Sequence, residues 1–159
     1  MRLMLLAVGR LKDGPERILL NRYHERASGL ARGLGFSGPD LVEIPESRAA
    51  QPAARMAEEA RGLGEKLGES RFILLDERGT APDSPTFAAW LEKDRDSGQK
   101  SLALVIGGAD GLDPALRARA GRIVSFGGMT LPHQLVRILA SEQLYRAMTI
   151  LSGHPYHRV

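Results

Sequence analysis

Cysteine is absent from the 159 residues of this chain. That excludes disulfides, thiol nucleophiles and cysteine-ligated zinc, and it accords with a cytoplasmic protein. Long apolar runs are missing too. None approaches the ~20 residues a membrane span needs, so no membrane partner is expected. Lysine is scarce: Lys12, Lys66, Lys93 and Lys100 are the only lysines among 22 basic residues, and the rest are arginine. No run of like charges marks a disordered tail. With no internal repeat, low-complexity segment or linker, residues 1–159 read as a single domain.

What is present describes a globular chain. Hydrophobic residues make up 43% and charged residues 26%. The net charge of +3 and a pI near 9.6 are mildly basic, compatible with a nucleic-acid partner without singling one out. The opening Met-Arg-Leu-Met-Leu-Leu-Ala-Val-Gly-Arg has too short an apolar part for a leader and reads as a buried first strand, Arg2 to Val8.

Apolar runs then alternate with helix-period segments. Pro15 opens a helix with Ile18, Leu19, Tyr23 and Leu30 on one stripe, broken at Gly33 and Gly35. Leu41 to Ile44 reads as a second strand. Pro52 to Leu67 reads as a helix with Met56, Ala60, Leu63 and Leu67 inward and Glu58, Glu59, Arg61, Glu65 and Lys66 outward. Arg71 to Leu75 is a third strand. A helix carrying Phe87, Trp90 and Leu91 follows, then a strand from Ser101 to Ile106, a short helix from Asp113 to Ala120 and a short strand from Arg122 to Ser125. Strand-then-helix alternation predicts an α/β fold with a mostly parallel sheet flanked by helices.

Three successive strand exits bear glycine: Asp76 to Gly79, Gly107 to Gly111, and Phe126 to Met129. In a parallel sheet these exits share one edge, where such folds bind ligands. Neither a spaced Gly-x-Gly-x-x-Gly nor a Walker loop occurs among them. The last helix follows, with Thr130 as its expected cap and Pro132 in its first turn. Leu135, Ile138, Leu139, Leu144 and Met148 form its stripe, and Glu142 is spaced to pair with Arg146. Gly153 and Pro155 stop it. His154, Tyr156, His157 and Arg158 come after the stop, either as a solvated tail or as the wall of a site.

Several of these segments in combination resemble one known family. They are Leu-Asp-Glu-Arg-Gly at 75–79, Ile-Gly-Gly-Ala-Asp-Gly at 106–111, Met-Thr-Leu-Pro-His-Gln-Leu-Val-Arg at 129–137, Glu-Gln-Leu-Tyr-Arg-Ala at 142–147 and the end His-Pro-Tyr-His-Arg. They resemble the bacterial ribosomal RNA large-subunit methyltransferase H family, small enzymes of the SPOUT class, and the resemblance spans the whole chain. It implies a C-terminal trefoil knot, a homodimer and S-adenosylmethionine as methyl donor. It also implies, as acceptor, N3 of a pseudouridine in 23S rRNA on the assembled ribosome, with no role for DNA. Carried over by position, the cofactor residues are Leu75, Asp76, Gly107, Gly108, Gly127, Gly128, Met129, Thr130, Leu131 and Pro132. Two positions depart from the family pattern: Asp110 stands where glutamate is commoner, and Gly127-Gly128 where bulkier residues are usual.

Methylating such an N3 requires loss of its proton, so a base or an anion-stabilising group is expected. His133 and His157 are base candidates by residue type. Arg158 and Arg137 are candidates to stabilise the anion or hold phosphate. Tyr156 and His154, with Arg137, are candidate substrate contacts. For His133, the competing reading is a helix-terminal residue bonded to backbone; for Arg137 and Arg146, it is a salt bridge to Glu142. The histidines at 24, 133, 154 and 157 form no metal-ligand pattern. The alternative function is a non-catalytic nucleotide- or RNA-binding α/β protein.

Overall fold

In a computed structural model, residues 1–158 are described. The chain runs β1 (Arg2–Val8), α1 (Pro15–Ala31), β2 (Ser37–Ile44), α2 (Pro52–Leu67), β3 (Arg71–Thr80), α3 (Ser84–Asp96), β4 (Ser101–Ile106), α4 (Pro114–Ala118), β5 (Arg122–Val124) and α5 (His133–Leu151). The five strands form one sheet in the order β2-β1-β4-β3-β5, and every pairing is parallel. The central strands β1 and β4 are almost wholly apolar because helices cover both of their faces.

Strand alternation divides the core into two layers. Leu3, Leu5 and Ala7 of β1 join Leu20 of α1, Leu91 of α3 and Leu144 and Met148 of α5 on one face. Met4, Leu6 and Val8 join Leu63 and Leu67 of α2 and Leu116 of α4 on the other. α5 packs against both α1 and α3 and against β1 and β4. Because β3, β4 and β5 are parallel neighbours, their C-terminal ends open on the same edge, as the sequence pattern predicts.

Several boundaries differ from the sequence reading. β2 begins at Ser37, four residues early, because Met1 and β1 supply backbone partners to a Gly-Pro segment that locally resembles a turn. β3 does not end at Leu75: it continues through Asp76 to Gly79 as strand, and Thr80 pairs with Val124 after a register shift. A Cβ on Gly79 would lie 2.6 Å from the Val124 nitrogen, so β5 approaches this stretch at backbone distance. The short helix and fifth strand span Pro114–Ala118 and Arg122–Val124, shorter than expected. Asp113 caps the former through the Ala115 amide, 2.9 Å. Thr130 does not cap α5: Pro132 occupies the cap position with no side-chain hydrogen bond. Ile18 and Leu135, assigned to apolar stripes, are exposed at 63% and 45%. Glu59, assigned outward, is buried.

Candidate functional site

The three strand exits build one cavity of about 550 Å³. β3 contributes Leu74 to Arg78, the β4 exit Gly107 to Leu112, and the β5 exit Ser125, Phe126, Gly127, Met129, Thr130 and Leu131, while α5 adds His133 and Val136. Of the ten carried-over cofactor positions, Leu75, Asp76, Gly107, Gly108, Gly127, Met129, Thr130 and Leu131 line it. Gly128 and Pro132 belong to the same loop without lining the cavity.

The β4 exit is held from below by α2. Gly107 and Gly108 are buried. A Cβ on Gly108 would come within 2.3 Å of Glu59 Oε2, so glycine leaves room for the Glu59 carboxylate against this backbone. Glu59 Oε1 accepts from the Ser47 amide at 3.0 Å. Arg55, one turn earlier, donates to both oxygens of Asp110 at 2.6 and 3.0 Å. That fork lowers the Asp110 pKa below the usual carboxylate range and raises that of Arg55. Neither partner was legible from local spacing, since 55 residues separate them.

Asp76 is also engaged. One oxygen accepts from the Arg78 amide at 2.9 Å and the other from Arg117 of α4. The cavity's Arg117 cation is thereby neutralised, as Asp110 is by Arg55. Apolar walls come from Leu75, Met129 and Leu131, and Met129 is 82% exposed at the rim.

Two expectations need correction. Arg137 is only 4% exposed and turns inward. Its Nη1 donates to Glu43 Oε1 at 3.0 Å, and its Nη2 donates to the Val8 and Gly9 carbonyls at 2.6 and 3.1 Å. It ties α5 to the ends of β1 and β2, and its partner is Glu43, not Glu142. The tail does fold back, but onto α5 and not over the cavity. Tyr156 donates to Glu142 Oε1 at 3.1 Å, and its ring lies 4.6 Å from that of Tyr145 and 4.9 Å from the Arg146 guanidinium. With its ring packed this way, Tyr156 is not free to stack on a base within one copy.

Arg146 pairs with Glu142, as the spacing predicts, with Nε to Oε1 at 3.0 Å. It also approaches His157 Nδ1 at 3.3 Å. A guanidinium only donates, so in this contact His157 is the acceptor at Nδ1, which corresponds to the tautomer with hydrogen on Nε2. His157 lines a neighbouring cavity of about 480 Å³, which shares Leu75 and Val124 to Gly127 with the first. His154 and Arg158 are exposed and line neither cavity. His154 Nδ1 accepts from the Tyr156 amide at 3.2 Å, closing the turn. Burial, reinforced by the bond to Glu142, pushes the Tyr156 phenol up to about 12, so it stays a protonated donor.

A family described as "Predicted SPOUT methyltransferase" matches residues 1–157. The chain belongs to the SPOUT methyltransferase family. Its relatives include the ribosomal RNA large subunit methyltransferase H of Bradyrhizobium sp. (strain ORS 278), 55% identical over 99% of this chain and 98% of its own. The namesake from Rhizobium meliloti (strain 1021) is 56% identical over 99% of each chain. A probable methyltransferase from Bordetella pertussis Tohama I shares the fold, with a TM-score of 0.52 over 92% of this chain and 95% of its own at 18% identity. In this SPOUT member the glycine-bearing exits meet in one cavity, as the family's motifs imply.

Proposed function

We propose that the chain transfers a methyl group from S-adenosylmethionine to N3 of a pseudouridine in 23S rRNA on the assembled ribosome. The observation that carries this reading is the cavity built from all three side-chain-poor exits, in a chain over half identical to the H-type large-subunit methyltransferases.

The cavity fits the cofactor. Gly107 and Gly108 line the cavity without side chains and would let an adenine edge reach backbone, Leu75, Met129 and Leu131 offer an apolar slot, and the Arg117 cation is cancelled by Asp76 where a sulfonium would be repelled by free positive charge. When bound, S-adenosylmethionine supplies an electrophilic methyl group. The acceptor's N3 proton must leave to this chain. His133, exposed at the cavity rim, is positioned to take it. His157, protonated on Nε2 and steadied by Arg146, donates toward the developing anion. Arg158 binds phosphate, and His154 and Tyr156 shape the approach of the RNA. Tyr156 is not the base, because its phenol holds its proton near neutrality.

Met129 at the cavity rim and Leu135 on α5 are exposed large hydrophobic residues, which a second copy would cover in the proposed homodimer. α5 follows the edge strand β5 and packs against β1 and β4, and the C-terminal trefoil knot is part of this proposal by family resemblance. No helix among the described residues is long and apolar enough to cross a membrane. The proposed site of action is the cytoplasm, where ribosomes reside.

Isothermal titration tests the reading: S-adenosylhomocysteine binds saturably and ATP does not. Binding of ATP alone would favour a nucleotide-binding regulator instead.

A further inference from the structure

A second recess, of about 420 Å³, opens beside the cofactor cavity. It is lined by Arg78, Gly79, Thr80, Trp90, Arg122 and Ile123. Arg78 lines both hollows, so the two are neighbours. Trp90 is the chain's one tryptophan and sits half-buried on α3. The Arg122 guanidinium lies over its ring, 4.9 Å from the centroid.

That arginine is fixed in place. Its Nη1 donates to Asp94 Oδ2 at 2.8 Å, and Asp94 is 4% exposed. Arg71 approaches the other Asp94 oxygen at 3.7 Å. Two guanidiniums therefore share one carboxylate, which leaves one positive charge uncompensated. Arg78 pairs with no carboxylate among the described residues, which adds a second. The recess thus places a guanidinium held over an indole ring beside the unpaired Arg78 cation, next to the cofactor cavity. Planar stacking partners and arginines are what a single-stranded nucleotide uses, and an acidic peptide would have no use for the stack.

Resting on the transferase reading above, we propose that this recess binds a nucleotide flanking the methylated base. Its base stacks against the Arg122–Trp90 pair and its phosphate meets Arg78. Asp94 is a positioning residue that holds Arg122 over the Trp90 ring.

Steady-state methylation of ribosomes by Trp90→Leu and Arg122→Lys tests this. Trp90→Leu is expected to raise KM for ribosomes about tenfold, a typical loss for one stacked base, while affinity for S-adenosylhomocysteine is retained. Arg122→Lys keeps the charge beside Asp94 but loses the planar stack, and it should raise KM by a smaller factor. An unchanged KM in Trp90→Leu, with methylation intact, overturns the recess and leaves the transferase standing. If Trp90→Leu also loses cofactor affinity, ultraviolet crosslinking of the unmodified chain to ribosomes decides. A ribonucleotide adduct on the tryptic segment 79–93, which contains Trp90, supports the recess, and adducts confined to other segments overturn it. If the unmodified chain methylates no RNA, both proposals fall.

Discussion

At the scale of single residues, steric room makes the sharpest distinction. Gly108 and Gly128 lie on neighbouring loops and are the same residue type, yet only Gly108 is pressed on its neighbours. An added methyl meets the Glu59 carboxylate at 2.3 Å at the first position and nothing within 4 Å at the second. Gly108→Ala should lower affinity for S-adenosylhomocysteine at least about tenfold, because either the buried Glu59 carboxylate or the loop must shift. Gly128→Ala should change it by less than about threefold. Titration calorimetry on both variants reads the contrast, and equal affinities would contradict the placement of Glu59. A titration effect belongs at this scale as well. Burial holds the His24 imidazole below its ordinary value of 6.5, and the Pro39 carbonyl and Asp40 offset this only in part. Its Nε2 is buried without a partner. The folded chain thus resists protonation that the unfolded chain accepts. Stability from this group is fully present above about 6.5 and declines as pH falls below it. Thermal melts from pH 7 to pH 5 should show a decline that His24→Gln reduces; the same slope in both chains would contradict it.

Elements were legible in the sequence where a pattern was local, and not where it depended on distant partners. β1 and β4 announced themselves as unbroken apolar runs because helices bury both their faces. The start of β2 stayed hidden because Gly38-Pro39 is turn chemistry that β1 recruits into strand. Asp76 to Gly79 looked like a loop because it bulges between two residues, Leu75 and Thr80, that both pair with Val124 of the distant β5. Helical spacing put Glu59 outward beside Glu58, but the part-buried loop amide at Ser47 holds it in and the missing side chain of Gly108 leaves it room. Arg137 shows the limit most clearly. Its carbonyl partners lie 129 and 128 residues away, so no local window exposes its structural role. Arg137→Met leaves Glu43 without one of its two cations and two carbonyls without a donor. The expected loss is about 3–5 kcal/mol in urea unfolding, the usual cost of breaking a buried pair. Lost activity with undiminished stability would instead return Arg137 to the substrate side.

For the whole molecule, sequence pattern correctly foresaw a parallel α/β sheet whose exits share an edge, while the arrangement of the tail required the fold. The tail's anchor is a cluster on α5, namely Glu142, Tyr145 and Arg146, that holds Tyr156 and His157. Removing residues 156–159 should abolish methyl transfer yet leave S-adenosylhomocysteine binding within about threefold, since none of the described tail residues lines the first cavity. Transfer that survives this deletion would remove the tail from the reaction. A chain this small and only mildly basic has little surface for sequence readout, so intact ribosomes should be methylated far better than a short free hairpin. The central claim is tested most directly by mass spectrometry of 23S rRNA from cells lacking this gene, with and without its restoration. Loss of a single methyl group from one pseudouridine, recovered on restoration, is the predicted result; an unaltered modification profile in the deletion strain would contradict the account.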